Sequence, residues 1–353
     1  MKNIYPRSAE TIMVSNMIVK HYAGSRAYGT ALPSSDVDVR GIFCADPINI
    51  RTPFFPVREC TDVKEEDTKY YELAHFMKLC LDCNPNIIET LWVDEEDIIF
   101  ETPAYEMLRE NRGYLLSTKL AHTFSGYAYS QLKRIIGHNK FINQHQPEEP
   151  PKPYQFLTIV QWFTVESHIR SDVKEFRNNY RFIPYGNDMY GVYPAYGYQL
   201  WDDNGQINAN FEGDRTKFGV PVLLVKYNKE VYKQAKEKHE QYWAWKKNRN
   251  EVRSELEEKY GYDTKHAMHL VRLMRMGIEA LRDGKIIVKR PDAEELLSIR
   301  NGAWTYNEII NYANEIDYEI KNKWYNNSIL PKKPDIKFAA RLLMDIQDSC
   351  WVN

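Results

Sequence analysis

Between His21 and Phe43 the chain reads HYAGSRAYGTALPSSDVDVRGIF, and two pairs of residues in it could do chemistry together. Gly24 and Ser25 offer a turn in which a backbone amide and a hydroxyl can come close to a phosphate. Asp36 and Asp38 are two residues apart, so on a strand their carboxylates stand side by side on one face, with Val37 and Val39 directed into a core. Two like charges held that close call for a proton or a cation. Hard oxygen donors suit magnesium (or manganese), commonly held by one or two carboxylates together with substrate phosphates. The competing reading is a solvated acidic turn after a Ser/Pro loop. Such a turn has no use for Val37, Val39, Ile42 and Phe43 alternating around the aspartates.

The elements that must position these residues are legible around them. Met17 to Tyr22 and Val37 to Phe43 are short apolar runs that read as strands. Between them Gly29, Pro33, Ser34 and Ser35 mark a loop or short helix. Ser8 is a possible cap for a short helix ahead of the first strand. Gly24-Ser25, a spacer, then Asp36-x-Asp38 resembles the nucleotidyltransferase signature of the DNA polymerase beta superfamily. The fuller string GSRAYGTALPSSDVDVRGIF resembles one branch of it, the nucleotidyltransferases associated with RNA ligases in RNA-repair gene clusters. ELAHFMKLCLDCNPNIIETLW, LSTKLAHTFSGYAYSQLKRI and the pattern Leu296 to Gly302 extend the resemblance, which covers roughly 15–143 and 262–315.

That resemblance implies an α/β (α+β) fold: a polymerase-beta-like nucleotidyltransferase sheet with helices, then a helical substrate-binding region carrying a small β insertion. It implies transfer of an NMP from an NTP to an acceptor hydroxyl, an RNA end first of all, with magnesium or manganese, and with an RNA ligase or other repair proteins as possible partners. It also asks for a third carboxylate on a later strand. TKYYEL, Thr68 to Leu73, is that strand; Glu72 is the candidate for catalysis and metal binding, with Asp67 behind it. Glu72 could equally open the following helix, where a negative charge is favoured. Glu89 is a further carboxylate that could be catalytic, though its place at a helix start favours a packing role. Arg26 and Arg40 join Gly24 and Ser25 as nucleotide-binding candidates. Arg40, on the strand face of Asp36 and Asp38, would hold a carboxylate or a triphosphate oxygen, or else a structural ion pair.

Further along, Tyr127 and Gln131 lie one helical turn apart, suited to stacking on a base and hydrogen-bonding it, or to ordinary core and surface. In KHAMHLVRLMRMGIEALRDG, Ala267, Leu270, Val271, Met274, Ile278 and Leu281 share one face at helical spacing. Lys265, His269, Arg272 and Arg275 lie toward the other, a basic face suited to a triphosphate or an RNA backbone. His266 and His269 could bind a metal only with a further ligand that the local sequence lacks. QHQPEEPPKP at 144–153 reads as a linker; Tyr154 to His168 reads as a helix, 180–226 as an antiparallel insertion with a turn at Asp202 to Gly205, and 228–260 as a charged helix. Exposed aromatics in that insertion could stack on single-stranded bases, or form a small core of their own. The expected domains are 1–100 (catalytic), 101–143 (helical part of the substrate region), 144–260 (linker, insertion and charged helix) and 261–353 (C-terminal helices).

The bulk numbers agree with such a protein. At 353 residues, with 43% hydrophobic and 13% aromatic residues, the chain can bury more than one core, and a net charge of −2 provides no global field for nucleic acid. Five cysteines without framework spacing indicate a reducing compartment, and Cys80-x-x-Cys83 lacks the second pair a zinc site would need. No apolar stretch has membrane-span length, so a soluble, cytoplasmic protein is expected. Transfer to a protein or a small molecule, and a non-catalytic nucleotide-binding regulator, remain alternatives at this point; the intact Gly-Ser and Asp-x-Asp speak against the last.

Overall fold

The computed structural model describes residues 8–61, 67–163, 172–248 and 251–351, the side chains of 216 and 251–253 excepted, and Ser8 stands directly ahead of the first helix. Its hydroxyl accepts a hydrogen bond from the Thr11 N–H and caps α1 (Ala9–Ser15), the stop for orphan amides that the sequence calls for. There follow β1 (Met17–Tyr22), α2 (Gly24–Tyr28), β2 (Val39–Phe43), α3 (Pro47–Arg51), β3 (Glu59–Cys60) and β4 (Thr68–Glu72). Next come α4 (Leu73–Leu81), α5 (Pro85–Ile88), β5 (Ile98–Glu101), α6 (Pro103–Glu110) and α7 (Leu120–Asn143). The five strands form one mixed sheet in the order β3-β4-β2-β1-β5, and the fold is of the expected mixed helix-and-sheet, polymerase-beta-like class. β1 is antiparallel to β2 and β5, while β4 runs parallel to β2. The acidic stretch 62–66 ahead of β4 lies outside the described residues.

Strand alternation divides this sheet into two faces. Val39 and Phe43 of β2 and Tyr70 of β4 pack with Ile12 and Met13 of α1 in a small cluster. Ile42 and Tyr71 turn the other way, into the large core built from α4, α7 and the C-terminal helices. Those helices are α9 (Glu251–Tyr260), α10 (Thr264–Asp283), α11 (Ala293–Arg300), α12 (Tyr306–Glu319), α13 (Tyr325–Asn327) and α14 (Ile336–Trp351), numbered after α8 (Lys229–Lys247). Helix α10 is central. Apart from the expected stripe it also buries Met268, Leu273 and Met276, and Gly277 lets it approach Phe124 of α7 closely. A helix apolar on nearly all sides is an interior helix, and the two-faced reading of α10 fails for that reason.

By its contacts the chain divides into two units: Met1–Asn143 with Val252–Asn353, and Gln144–Glu251. The second holds β6 (Leu157–Trp162), β7 (Asn178–Gly186), β8 (Met189–Gln199), β9 (Leu223–Tyr227) and α8. They form an antiparallel sheet in the order β6-β9-β8-β7 over a core of Phe176, Phe182, Val192, Leu223 and Val225. The helix expected over Tyr154 to His168 is instead a one-turn 3-10 helix, Pro153–Phe156, and strand β6; residues 164–168 lie outside the described residues. Leu157 and Ile159 alternate toward the core, and pairing with β9 gives this β-branched run its ladder. At the expected turn the Gly205 N–H donates to the Asp202 carbonyl, with Gly205 at φ +82°. All five cysteines are free thiols, Cys80 and Cys83 buried. Among the described residues no helix is long and apolar enough to cross a membrane.

Candidate active site

The glycine-serine turn and the aspartates meet at the end of the sheet where β1 runs into α2. Gly24 has φ +59°, a left-handed conformation that glycine adopts without strain. A Cβ on Gly24 would collide with the Asp38 carboxylate before meeting anything else. The Asp38 carbonyl accepts from the Ala23 N–H at 2.9 Å. The aspartates themselves stand in extended chain just ahead of β2, not within it, and Val37 is 41% exposed, so only Val39 of the two valines enters the core.

Across the parallel pairing Val39 lies opposite Thr68, which brings Asp38 alongside Asp67; the Val39 N–H donates to the Asp67 carbonyl at 3.2 Å. Burial first, and then the charges of Asp67 and Asp36, raise the Asp38 carboxyl above the usual range, while Arg40 and Lys265 pull it down. Asp67 and Asp36 thus both lie near enough to act on Asp38. An open cleft of about 580 Å³ beside it is lined by Lys20, Tyr22, Asp36, Val37, Val39, Asp67 and Ile99.

Glu72 is elsewhere. It pairs in register with Phe43, at the far end of β4 from Asp67, and an odd number of residues from Asp67 puts it on the opposite face. There it is buried and caps α4, its carboxylate accepting from the His75 N–H at 3.0 Å. Burial raises its pKa, and backbone N–H groups partly offset this. Geometry thus corrects the expectation: β4 brings a carboxylate to Asp38, but it is Asp67, the residue behind Glu72.

Arg40 is half-buried on the Asp38 side of the sheet, and its guanidinium donates to the Val39 carbonyl at 3.2 Å and reaches the Asp67 carbonyl at 3.5 Å. Among the described residues it forms no ion pair. Arg26 is exposed at the end of α2, its guanidinium 5.0 Å from the Tyr22 ring. Ser25 is half-buried in the first turn of α2, next to Gly24. Tyr127, on α7, lies near enough to Tyr71 for their charges to interact, on the face shared with Asp38 and Arg40. Gln131 is half-buried one turn further on, with a long contact to the Ser130 hydroxyl.

The basic face of α10 does not exist as a face. Arg272 is 4% exposed, its guanidinium stacked 3.6 Å from the centroid of the Tyr28 ring and 3.6 Å from a Glu89 oxygen. Tyr28 donates its hydroxyl to the other Glu89 oxygen at 2.6 Å. Burial raises the Glu89 carboxyl, while the Arg272 charge and the Tyr28 hydrogen bond pull it down. Arg275 is committed to Asp292, to Glu295 in a two-oxygen pair, and to the Tyr312 hydroxyl. Both arginines therefore neutralise acids of their own core. Burial and the charges of Arg272 and Lys265 hold His269 neutral, its pKa well below the ordinary value.

The loop rests on this buried layer. The Arg290 N–H donates to the Tyr28 carbonyl at 3.1 Å, and the Thr30 N–H closes the turn on the Ser25 carbonyl at 2.8 Å. His21, beneath it, is buried, hydrogen-bonded to the Tyr22 carbonyl and the Thr90 hydroxyl; burial lowers its pKa to about 4. Of the four residues expected to form a basic face on α10, Lys265 is the one whose charge reaches Asp38, from the first turn of that helix. Only its membership of a run of cations was visible in the sequence.

Three comparisons with known proteins bear on this arrangement. Residues 8–156 match RlaP, the RNA repair pathway DNA polymerase beta family. That match ends just before β6 and does not reach 262–315. An uncharacterized 38.9 kDa protein in the nrdC-mobD intergenic region of enterobacteria phage T4 is 27% identical over 128 residues, which are 33% of this chain and 38% of the phage protein. The chain thus spans well under half the length of that relative. No solved structure matches the chain.

Proposed function

We propose that the protein, whose residues 8–156 match the RNA repair pathway DNA polymerase beta family, transfers a nucleoside monophosphate from an NTP to the terminal hydroxyl of an RNA. The observation that carries this reading is the meeting of Asp38 with both the Gly24 turn and Asp67. A triphosphate needs a close backbone approach, and a hydroxyl nucleophile needs anionic groups beside it; here the two needs adjoin.

The donor set fits magnesium or manganese. Asp36, Asp38 and Asp67 supply carboxylate oxygens alone, and a divalent cation would offset what raises the Asp38 carboxyl, burial first and then the charges of Asp67 and Asp36. Bound there, the cation would supply charge neutralisation at the attacking and leaving oxygens of an in-line displacement. The chain's own groups do the rest. Ser25 and the Gly24 backbone hold the triphosphate, and Arg40 and Lys265 add positive charge at its oxygens. Asp67 takes the role first given to Glu72: it accepts the proton of the acceptor hydroxyl as that oxygen bonds to the α-phosphorus and the bond to pyrophosphate breaks. Tyr127 and Gln131 of α7 are the base-facing pair, and Arg26 lies at the outer edge of the turn.

Incubation of the protein with each α-labelled NTP, magnesium or manganese, and total cellular RNA tests the reading. Label in RNA, dependent on the cation and on Asp38, is the expected result. Label in protein instead would move the acceptor to a side chain, and no label with any NTP would overturn the reading.

A further inference from the structure

Away from the carboxylates of the cleft, three helices bring two imidazoles and two carboxylates to one buried point. His138 comes from the last turns of α7, Glu257 from α9, and Asp263 and His266 from the start of α10. The His138 Nδ1 lies 3.1 Å from Asp263 Oδ2 and 3.5 Å from Glu257 Oε1, and His266 Nε2 lies 3.5 Å from the same Asp263 oxygen. The donor atoms of His138, Glu257 and Asp263 all fall within 4.8 Å of one another. The other Asp263 oxygen accepts from the His266 N–H at 3.0 Å and caps α10, so the carboxylate cannot swing away. The Asp263 side chain is 0% exposed and that of Glu257 3%.

We propose that His138, Glu257 and Asp263, with His266 alongside, bind a divalent transition-metal ion, Zn2+ by preference, at a site distinct from the Asp36–Asp38–Asp67 cluster. Ligand type and spacing carry the proposal. A tetrahedral zinc with ligands at about 2.0–2.1 Å sets neighbouring donors about 3.3–3.4 Å apart, and the separations of His138 Nδ1 from Asp263 and Glu257, 3.1 and 3.5 Å, bracket that value. Mixed imidazole and carboxylate donors select zinc-like ions, whereas magnesium takes oxygen. Three protein donors converge, those of His138, Glu257 and Asp263, and His266 Nε2 stands beside the shared Asp263 oxygen as the nitrogen that a small ring rotation would add as a fourth. The sequence hides it because the second histidine and both carboxylates come from different helices; His266 has its partner in His138, not in His269.

Protonation supplies a readout. Burial alone would lower the His138 pKa, but hydrogen bonds and charge from Asp263 and Glu257 raise it to about 9. Near pH 7 the metal-free cluster therefore holds a proton that the ion must displace.

The experiment uses chelator-stripped full-length protein carrying Asp36→Asn and Asp38→Asn, so that the cleft carboxylates do not compete. Titration with Zn2+ in two buffers of different ionisation enthalpy should give one equivalent bound with release of about one proton. Co2+ should give the visible absorption of a four-coordinate nitrogen and oxygen site. Adding His138→Gln should weaken binding by at least about tenfold, since loss of a ligand exceeds the loss of a ligand's outer partner. Glu257→Gln repeats the test if His138→Gln lowers the helical circular dichroism. Absence of a stoichiometric Zn2+ site in the double-asparagine protein, or Zn2+ affinity unchanged by both His138→Gln and Glu257→Gln, would overturn the proposal.

Discussion

Two groups of carboxylates sit in the same unit of this protein and are treated in opposite ways. Asp36, Asp38 and Asp67 stand at a strand end beside an open cleft; burial and then the charges of Asp67 and Asp36 raise the Asp38 carboxyl, while Arg40 and Lys265 pull it down. Glu257 and Asp263 are enclosed among helices with an imidazole directly between them. The first arrangement leaves carboxylates open to the cleft, where under the proposed function a substrate and its cation would arrive. The second satisfies charge internally, and its side chains lose their freedom in doing so. Burial alone therefore does not separate working carboxylates from structural ones; what separates them is whether the compensating charge is built into the fold.

The largest expected effect breaks the open cluster. Asp38→Asn should remove nucleotide transfer, while the melting temperature holds or rises because one of several repelling charges is gone. Label incorporation and a thermal melt on the same preparation check both halves; a melt that falls steeply would mean Asp38 is structural. Next comes the contrast within β4. Asp67→Asn should bring transfer close to background. Glu72→Gln should keep transfer and lose about 1 kcal/mol of stability through its weakened cap on α4, and the reverse ranking of the two rates would break the argument from strand faces.

The enclosed cluster is sharpened by pH. His138 has its folded pKa raised from 6.5 to about 9, so in metal-free protein its contribution is fully present below pH 6.5 and is lost as pH rises through 9. Denaturant melts of wild type and His138→Gln should therefore differ most at low pH, the difference shrinking by up to about 3 kcal/mol across that window. A gap that widens with pH would contradict the ion-paired geometry. The smallest effect is at the turn: Ser25→Ala should weaken NTP use by about 1.5 to 3 kcal/mol, the worth of one hydrogen bond to a charged group, read as kcat/KM for the NTP.

How much of this was legible in the sequence depended on how local each feature is. The Ser8 cap, the Gly24 turn and the strands around it are set by neighbours in the chain, and residue types alone point to them. The choice between Asp67 and Glu72 was not legible, because which of two residues on β4 faces Asp38 depends on its register with β2. Asp36 and Asp38 were read as strand residues because Val37 continues the alternation, yet the ladder begins only at Val39 and leaves Val37 exposed. Arg272 and Arg275 resemble a ligand-binding face as long as α10 has a solvent side. Packed on nearly every side, it turns them to Glu89 and to Asp292 and Glu295. β6 was read as helix because its partner strand, β9, lies more than sixty residues away.

The stacking of Arg272 on Tyr28 and Glu89 has a consequence for synthesis. The sheet, the glycine turn and Glu89 leave the ribosome first, then the whole of Gln144–Glu251, and only then the arginine that neutralises Glu89. Until residue 272 has been made, the nascent chain lacks the guanidinium packed against that carboxylate and has no α10 to cover the apolar flank of α7. Domains commonly fold in order as they emerge; here the second unit can do so while the first waits for its far half. Contacts of such long sequence separation slow folding, so chains stalled within Gln144–Glu251 should collect on chaperones with their N-terminal part still sensitive to protease.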